Sequence, residues 1–162
     1  MAILAVESSC DETSAAVVQD GWEVKSNVIS TSRKDFEALA GVIPEQAARR
    51  QTECIVAVIA EALRAANMHP QNLEAIAVTR GPGLLGSLLV GTATARVLAS
   101  TMHLPLIGVH HTLGHLDSPW LAQGLVLAGP GKGREPVFPV LTLSVSGGHT
   151  DLWYRTSHTH GV

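Results

Sequence analysis

The chain has 162 residues, 46% of them hydrophobic and 15% charged, with mean hydropathy +0.22 and a formal net charge of −3. That length supports one ordinary domain with a real core, and the composition excludes a disordered chain. The charge excludes chain-wide attraction to nucleic acid, so such a partner would need a local basic patch or a second subunit.

Ala2 to Val6 reads as a short apolar strand ending at Glu7. With no basic segment before it in this sequence, it reads as a first strand and not as a signal peptide. The polar turn S-S-C-D-E-T follows, then strands over Ser14–Val18 and Trp22–Ile29 joined at Gln19-Asp20-Gly21. Pro44 to about Met68 is predicted to be an amphipathic helix. Ile55, Ile59 and Leu63 recur at i+4 on one face, Pro44 suits the first turn and Glu45 suits the positive end of the dipole. Cys10 and Cys54 form neither a metal spacing nor a disulfide framework, which points to a reducing compartment and a cytoplasmic location.

Leu73–Thr79 is predicted as a strand broken by G-P-G, and Leu84–Met102 as a second helix rich in small residues. A strand over Pro105–Val109 feeds a third helix that carries two histidines and runs to about Gln123. A Gly/Pro-rich loop, 124–136, precedes strands over Val137–Ser144 and Thr150–Tyr154. An opening meander followed by helix–strand crossovers predicts an α/β fold, a mixed sheet flanked by helices. No apolar run approaches the length of a membrane span, and no membrane partner is expected. The expected organisation is an N-terminal domain at 1–123, a loop at 124–136 and a hairpin at 137–162.

His111 and His115 stand four apart, which places two imidazoles one helical turn apart on one face, separated by a rise of roughly 6 Å. Neutral imidazole is a common ligand for zinc and iron. Thr112 occupies the place where a zinc protease carries its catalytic Glu, so this is not a protease helix. Two histidines of no special role remain the plainer alternative.

Three glycine- or hydroxyl-rich turns are candidates for ligand chemistry. In Glu7–Thr13, hydroxyls and N–H groups suit a phosphate, and Asp11 and Glu12 suit a cation or an oriented water; the plainer reading is a solvated acidic turn. In Arg80–Ser87 a helix start offers free N–H groups to an anion. The absence of Gly-Lys-Ser/Thr rules out a Walker loop, and the small residues Gly86, Gly91, Ala93, Ala95 and Ala99 favour close helix packing. In Ser144–Thr150, Gly147 and Gly148 suit either an anion-binding nest or a hairpin turn.

Taken together, E-S-S-C-D-E-T, V-I-P-E-Q-A-A-R, T-R-G-P-G-L-L-G-S-L-L-V-G, H-H-T-L-G-H and S-G-G-H-T resemble the TsaD family of tRNA threonylcarbamoyladenosine transferases, once called glycoproteases. The motifs run in family order from Ile3 to about Trp153. The resemblance implies an actin-like ATPase (ASKHA, ribonuclease-H-like) N-terminal domain plus the first hairpin of a second domain. It implies transfer of threonylcarbamoyl from threonylcarbamoyl-AMP to N6 of the adenosine beside a tRNA anticodon. His111 and His115 match the metal-binding histidines, with iron or zinc as the metal. Ser144, Val145, Ser146, Gly147 and Gly148 match the substrate-binding loop. Glu7 to Thr13 match the first phosphate hairpin, whose acidic pair, assigned a catalytic role, falls on Asp11 and Glu12, with an ATP-type nucleotide or adenylate as ligand. The implied partners are tRNA and, in bacteria, a TsaB-like paralogue and a TsaE-like ATPase.

The chain departs from the pattern at several places. Ala48, Arg49, Arg50 and Gln51 stand where the family often reads S-R-x-H. Thr112 and Leu113 separate the histidines where Leu-Glu is common, Arg96 replaces a frequent Lys, and Ser144 replaces a Tyr that in some members approaches the metal. Family members are roughly twice this long, with a third metal ligand, an Asp, in the second half. The 162 residues alone are therefore expected to be inactive. An actin-like kinase and a non-catalytic scaffold of the same complex stay open as alternatives.

Overall fold

The computed structural model describes residues 1–31, 41–120, 137–145 and 150–161. Two compact units divide the chain, Met1–His111 and Thr112–Val162. The first holds strands β1 (Ala2–Glu7), β2 (Glu12–Gln19) and β3 (Glu23–Thr31), helix α1 (Pro44–Ala65), β4 (Ala75–Gly81), α2 (Leu85–Met102) and β5 (Leu106–His110).

These five strands form one sheet in the order β3-β2-β1-β4-β5. The meander β1-β2-β3 is antiparallel, with Ala5 opposite Ala16 and Ala16 opposite Asn27. β4 and β5 run parallel to β1, reached by the crossovers that carry α1 and α2. The predicted mixed α/β sheet is therefore present. Its inner face follows the period of two: Leu4 and Val6 on β1 and Ala15 and Val17 on β2 are all buried. β4, between two parallel neighbours, is buried at every position from Ala75 to Thr79.

Both helices cover this inner face. α1 lies over β2 and β3, and α2 over β4. Ile55, Val58, Ile59 and Ala62 from α1 meet Ala95 and Ala99 from α2 in one core. The Ser26 hydroxyl donates to the Ala62 carbonyl at 2.7 Å and ties α1 to β3.

α2 is 18 residues long and apolar enough, by length and composition, to cross a bilayer. This corrects the expectation that no segment approaches that length. Its Ser87, Gly91, Ala95 and Ala99 face is buried on the sheet, the placement of a helix that closes a core.

The second unit holds α3 (His111–Asp117), which begins on the last residue of the first unit, and the antiparallel hairpin β6 (Val140–Val145) and β7 (Thr150–Arg155). Arg155 is 2% exposed. It donates to the Leu116 carbonyl at 3.2 Å and pairs with Asp117 at 2.9 Å, so one end of the hairpin is fastened to α3. Leu141, Leu143, Leu152 and Tyr154, which share one face of the hairpin, are exposed.

Candidate metal and substrate site

β1, β4 and β5 are parallel, so their carboxyl ends lie along one edge of the sheet. In open α/β sheets ligands gather outside that edge. Glu7 ends β1, Arg80 and Gly81 end β4, and His111 follows β5 directly.

Glu7 and His111 meet there although 104 residues separate them. The Nδ1 atom of His111 lies 3.1 Å from Oε2 of Glu7 and 3.1 Å from Oγ of Ser9. The Ser9 backbone N–H donates to Oε1 of Glu7. Burial pushes the Glu7 carboxyl up, but hydrogen bonds from Ser9, Thr79 and His111 outweigh it and hold the group below the usual carboxylate range. A carboxylate accepts hydrogen bonds, so Glu7 offers His111 an acceptor at Nδ1.

His115 is the fifth residue of α3, so His111 and His115 are one turn apart on the same helix, as the spacing predicts. The Ser118 hydroxyl donates to the His115 carbonyl at 2.8 Å. An imidazole whose second ring nitrogen rests on a carboxylate is the usual arrangement of a metal-ligating histidine. Two imidazoles are donors of the type that transition metals take. Among the described residues no group of three or more His, Cys, Asp or Glu side chains stands together to hold an ion.

The turn after β1 is built mainly by internal bonds. The buried Ser8 hydroxyl donates to the Ser87 carbonyl at 2.8 Å, and the Leu84 N–H donates to the Ser9 carbonyl at 2.7 Å. The glycines of the second motif permit this contact. A Cβ at Gly83 would lie 2.5 Å from the Ser9 carbonyl oxygen, and one at Gly91 would lie 2.2 Å from the Ser8 hydroxyl. Close packing therefore accounts for Gly83 and Gly91. Gly81 adopts φ +148°, which favours glycine at the end of β4.

Asp11 is half-buried and lines a small polar depression with Thr13, Ser30, Arg50 and Gln51. Glu12 is exposed, and its carbonyl accepts from Gln51. Burial and the neighbouring Asp11 push the Cys10 thiol up. Ser144 is half-buried and Val145 exposed at the end of β6. Ser146, Gly147 and Gly148 lie outside the described residues, as does the predicted end of the histidine helix at Gln123.

Sequence reasoning placed the acidic chemistry on Asp11 and Glu12 and took Glu7 for the end of a strand. Three clues bore on Glu7: an acid closing an apolar strand, a parallel sheet, and a histidine just past another strand.

The family profile described as "TsaD: tRNA N6-adenosine threonylcarbamoyltransferase" matches residues 23–160. The tRNA N6-adenosine threonylcarbamoyltransferase of Onion yellows phytoplasma (strain OY-M) is 48% identical over 158 residues, covering 98% of this chain and 63% of that protein. Its counterpart in Bacillus subtilis (strain 168) is 44% identical over 158 residues, covering 98% of this chain and 42% of that protein. The chain thus spans 42 to 63% of the length of these two relatives. Among solved structures, YeaZ from Pseudomonas aeruginosa matches with a TM-score of 0.57 at 17% identity, over 76% of this chain and 49% of that one. This likeness shows the fold alone, an α/β sheet flanked by helices. The chain belongs to the TsaD family of tRNA N6-adenosine threonylcarbamoyltransferases.

Proposed function

We propose that these residues form the N-terminal part of an acyltransferase that moves a threonylcarbamoyl group from threonylcarbamoyl-AMP to N6 of the adenosine next to a tRNA anticodon. Family membership supports the tRNA chemistry. The observation that carries the assignment of a site is His111, held through Nδ1 by Glu7 at the carboxyl edge of the parallel strands.

In this reading His111 and His115 are two ligands of one iron or zinc ion, with the third supplied from outside the described residues. When bound, the ion supplies a Lewis acid to polarise the carbonyl under attack. Ser144 and Val145, with Ser146, Gly147 and Gly148, hold the adenylate, their N–H groups stabilising negative charge as it develops. Asp11 and Glu12 orient water or a cation beside an ATP-type nucleotide. The tRNA is gripped by phosphate and shape, as base-modifying enzymes require. Arg49 and Arg50, exposed on α1, are candidates for that contact.

The proposed partners are a TsaB-like paralogue and a TsaE-like ATPase, and the proposed location is the cytoplasm. Leu85, Leu89 and Val97, exposed along α2, give the paralogue an apolar stripe. That stripe also favours a second reading, in which the chain acts as a scaffold without transfer chemistry of its own.

The test is a reconstitution with tRNA, threonine, bicarbonate, ATP, the adenylate-forming enzyme and the partner proteins. A chimera carries these 162 residues in place of the matching part of the Bacillus subtilis relative. The chimera is expected to modify adenosine, and the 162 residues alone are not. A folded, partner-bound chimera without activity would favour the scaffold.

A further inference from the structure

The contact between Glu7 and His111 involves a residue that the proposed reaction leaves without a role. Glu7 sits on β1 and His111 directly after β5, with β4 between them. The side chains are partly buried, at 34% and 25% exposure. Four donors face the carboxylate: the Ser9 N–H, the Ser9 and Thr79 hydroxyls, and the His111 ring at Nδ1. If Nδ1 carried no proton, its lone pair would face an ionised oxygen 3.1 Å away, an arrangement of mutual repulsion. With the proton on Nδ1, the ring donates to Glu7 and shares that proton with the Ser9 oxygen, so a donor faces an acceptor at both 3.1 Å contacts.

We propose that Glu7 is the positioning residue for His111: its carboxylate accepts from Nδ1–H, selects that tautomer and turns the ring so that Nε2 is the atom offered to a metal. Ser9 braces the carboxylate from the other side. The proposal rests on the reading of His111 as a metal ligand, and it adds the reason why one ring nitrogen and not the other serves. Carboxylate partners of this kind fix ring orientation and raise ligand basicity, and their loss typically weakens metal binding by about 10- to 100-fold.

The experiment uses the ¹⁵N-labelled 162-residue chain without metal, at a pH where histidines are neutral. Long-range proton–nitrogen spectra, with His111→Ala for assignment, report which nitrogen of His111 carries the proton. The proposal requires Nδ1–H in the parent chain and in Glu7→Gln, which keeps an oxygen acceptor. It requires a mixture or Nε2–H in Glu7→Leu, which has none. A parent chain in the Nε2–H form overturns it, as does an unchanged Nδ1–H form in Glu7→Leu. If Glu7→Leu does not fold, the parent spectrum decides.

Zinc titration of the same variants in the chimera with the Bacillus subtilis relative provides the second readout. Glu7→Leu should bind zinc about 10- to 100-fold more weakly, with a smaller loss in Glu7→Gln. If His111→Ala lowers zinc affinity and Glu7→Leu does not, the positioning role is wrong and the metal reading stands. If His111→Ala leaves zinc affinity unchanged, the metal reading is wrong, and with it the role of Glu7 toward a metal.

Discussion

The side-chain amide nitrogen of Gln51 donates to the Glu12 carbonyl at 2.9 Å, and from that one position it also reaches the carbonyls of Cys10 at 3.1 Å and Ser8 at 3.4 Å. Gln51 is 1% exposed and projects from α1 into the turn between β1 and β2. It thereby braces the turn that carries Ser8 and Ser9 toward His111. Replacing Gln51 with Leu removes the donor and leaves buried carbonyls short of a partner. The expected loss is about 1–3 kcal/mol, measured by urea unfolding. Gln51→His, which restores the residue type frequent in the family, should lose less.

Ser8 and Gly91 form a second such contact, between the first turn and α2. Gly91→Ala would place a Cβ 2.2 Å from the Ser8 hydroxyl and should destabilise by about 1–3 kcal/mol. Ser8→Ala removes that oxygen. The double variant should therefore be more stable than the sum of the two single losses predicts, and a double-mutant cycle measures the difference. Simple additivity would mean that the contact carries no strain.

Most of the first unit was legible because its elements announce themselves locally. Pro44 marks the start of α1 as expected, while the helix ends at Ala65 and not near Met68, because Asn67 takes φ +50° and the Met68 N–H turns back to the Leu63 carbonyl. α3 gives way after Asp117 to a 3₁₀ turn over Ser118–Trp120, where Pro119 has no N–H to continue the α ladder. β6 begins at Val140 because Pro139 has no N–H to give to a ladder. The spacing of His111 and His115 was readable from neighbouring residues alone. Glu7, Ser9 and Gln51 were not, since their partners lie 39 to 104 residues away and only the sheet order brings them together.

Arg155 anchors the hairpin, with its guanidinium bonded to Leu116, Asp117 and His158 and lying 5.8 Å from the Phe138 ring centre. Arg155→Met keeps much of the stem but removes every donor. It should release the hairpin, and amide hydrogen exchange in β6 and β7 should rise relative to that in β1 and β4. Equal protection in parent and variant would show that the strands hold without the arginine.

Leu89 is 57% exposed on α2 and should contribute little to the fold. Leu89→Asp is expected to change stability by no more than about 0.5 kcal/mol. It should nevertheless weaken association with a TsaB-like paralogue, as read by sedimentation. Undiminished association would remove the α2 stripe from the proposed interface.

Bound metal gives the most direct test of the central claim that His111 and His115 share one ion. Iron and zinc are measured by plasma mass spectrometry in the purified chimera with the Bacillus subtilis relative, and in its His111→Ala and His115→Ala variants. The account predicts a stoichiometric metal in the chimera and a large loss in each variant, with folding checked by circular dichroism. Folded variants that keep the full metal content would contradict it.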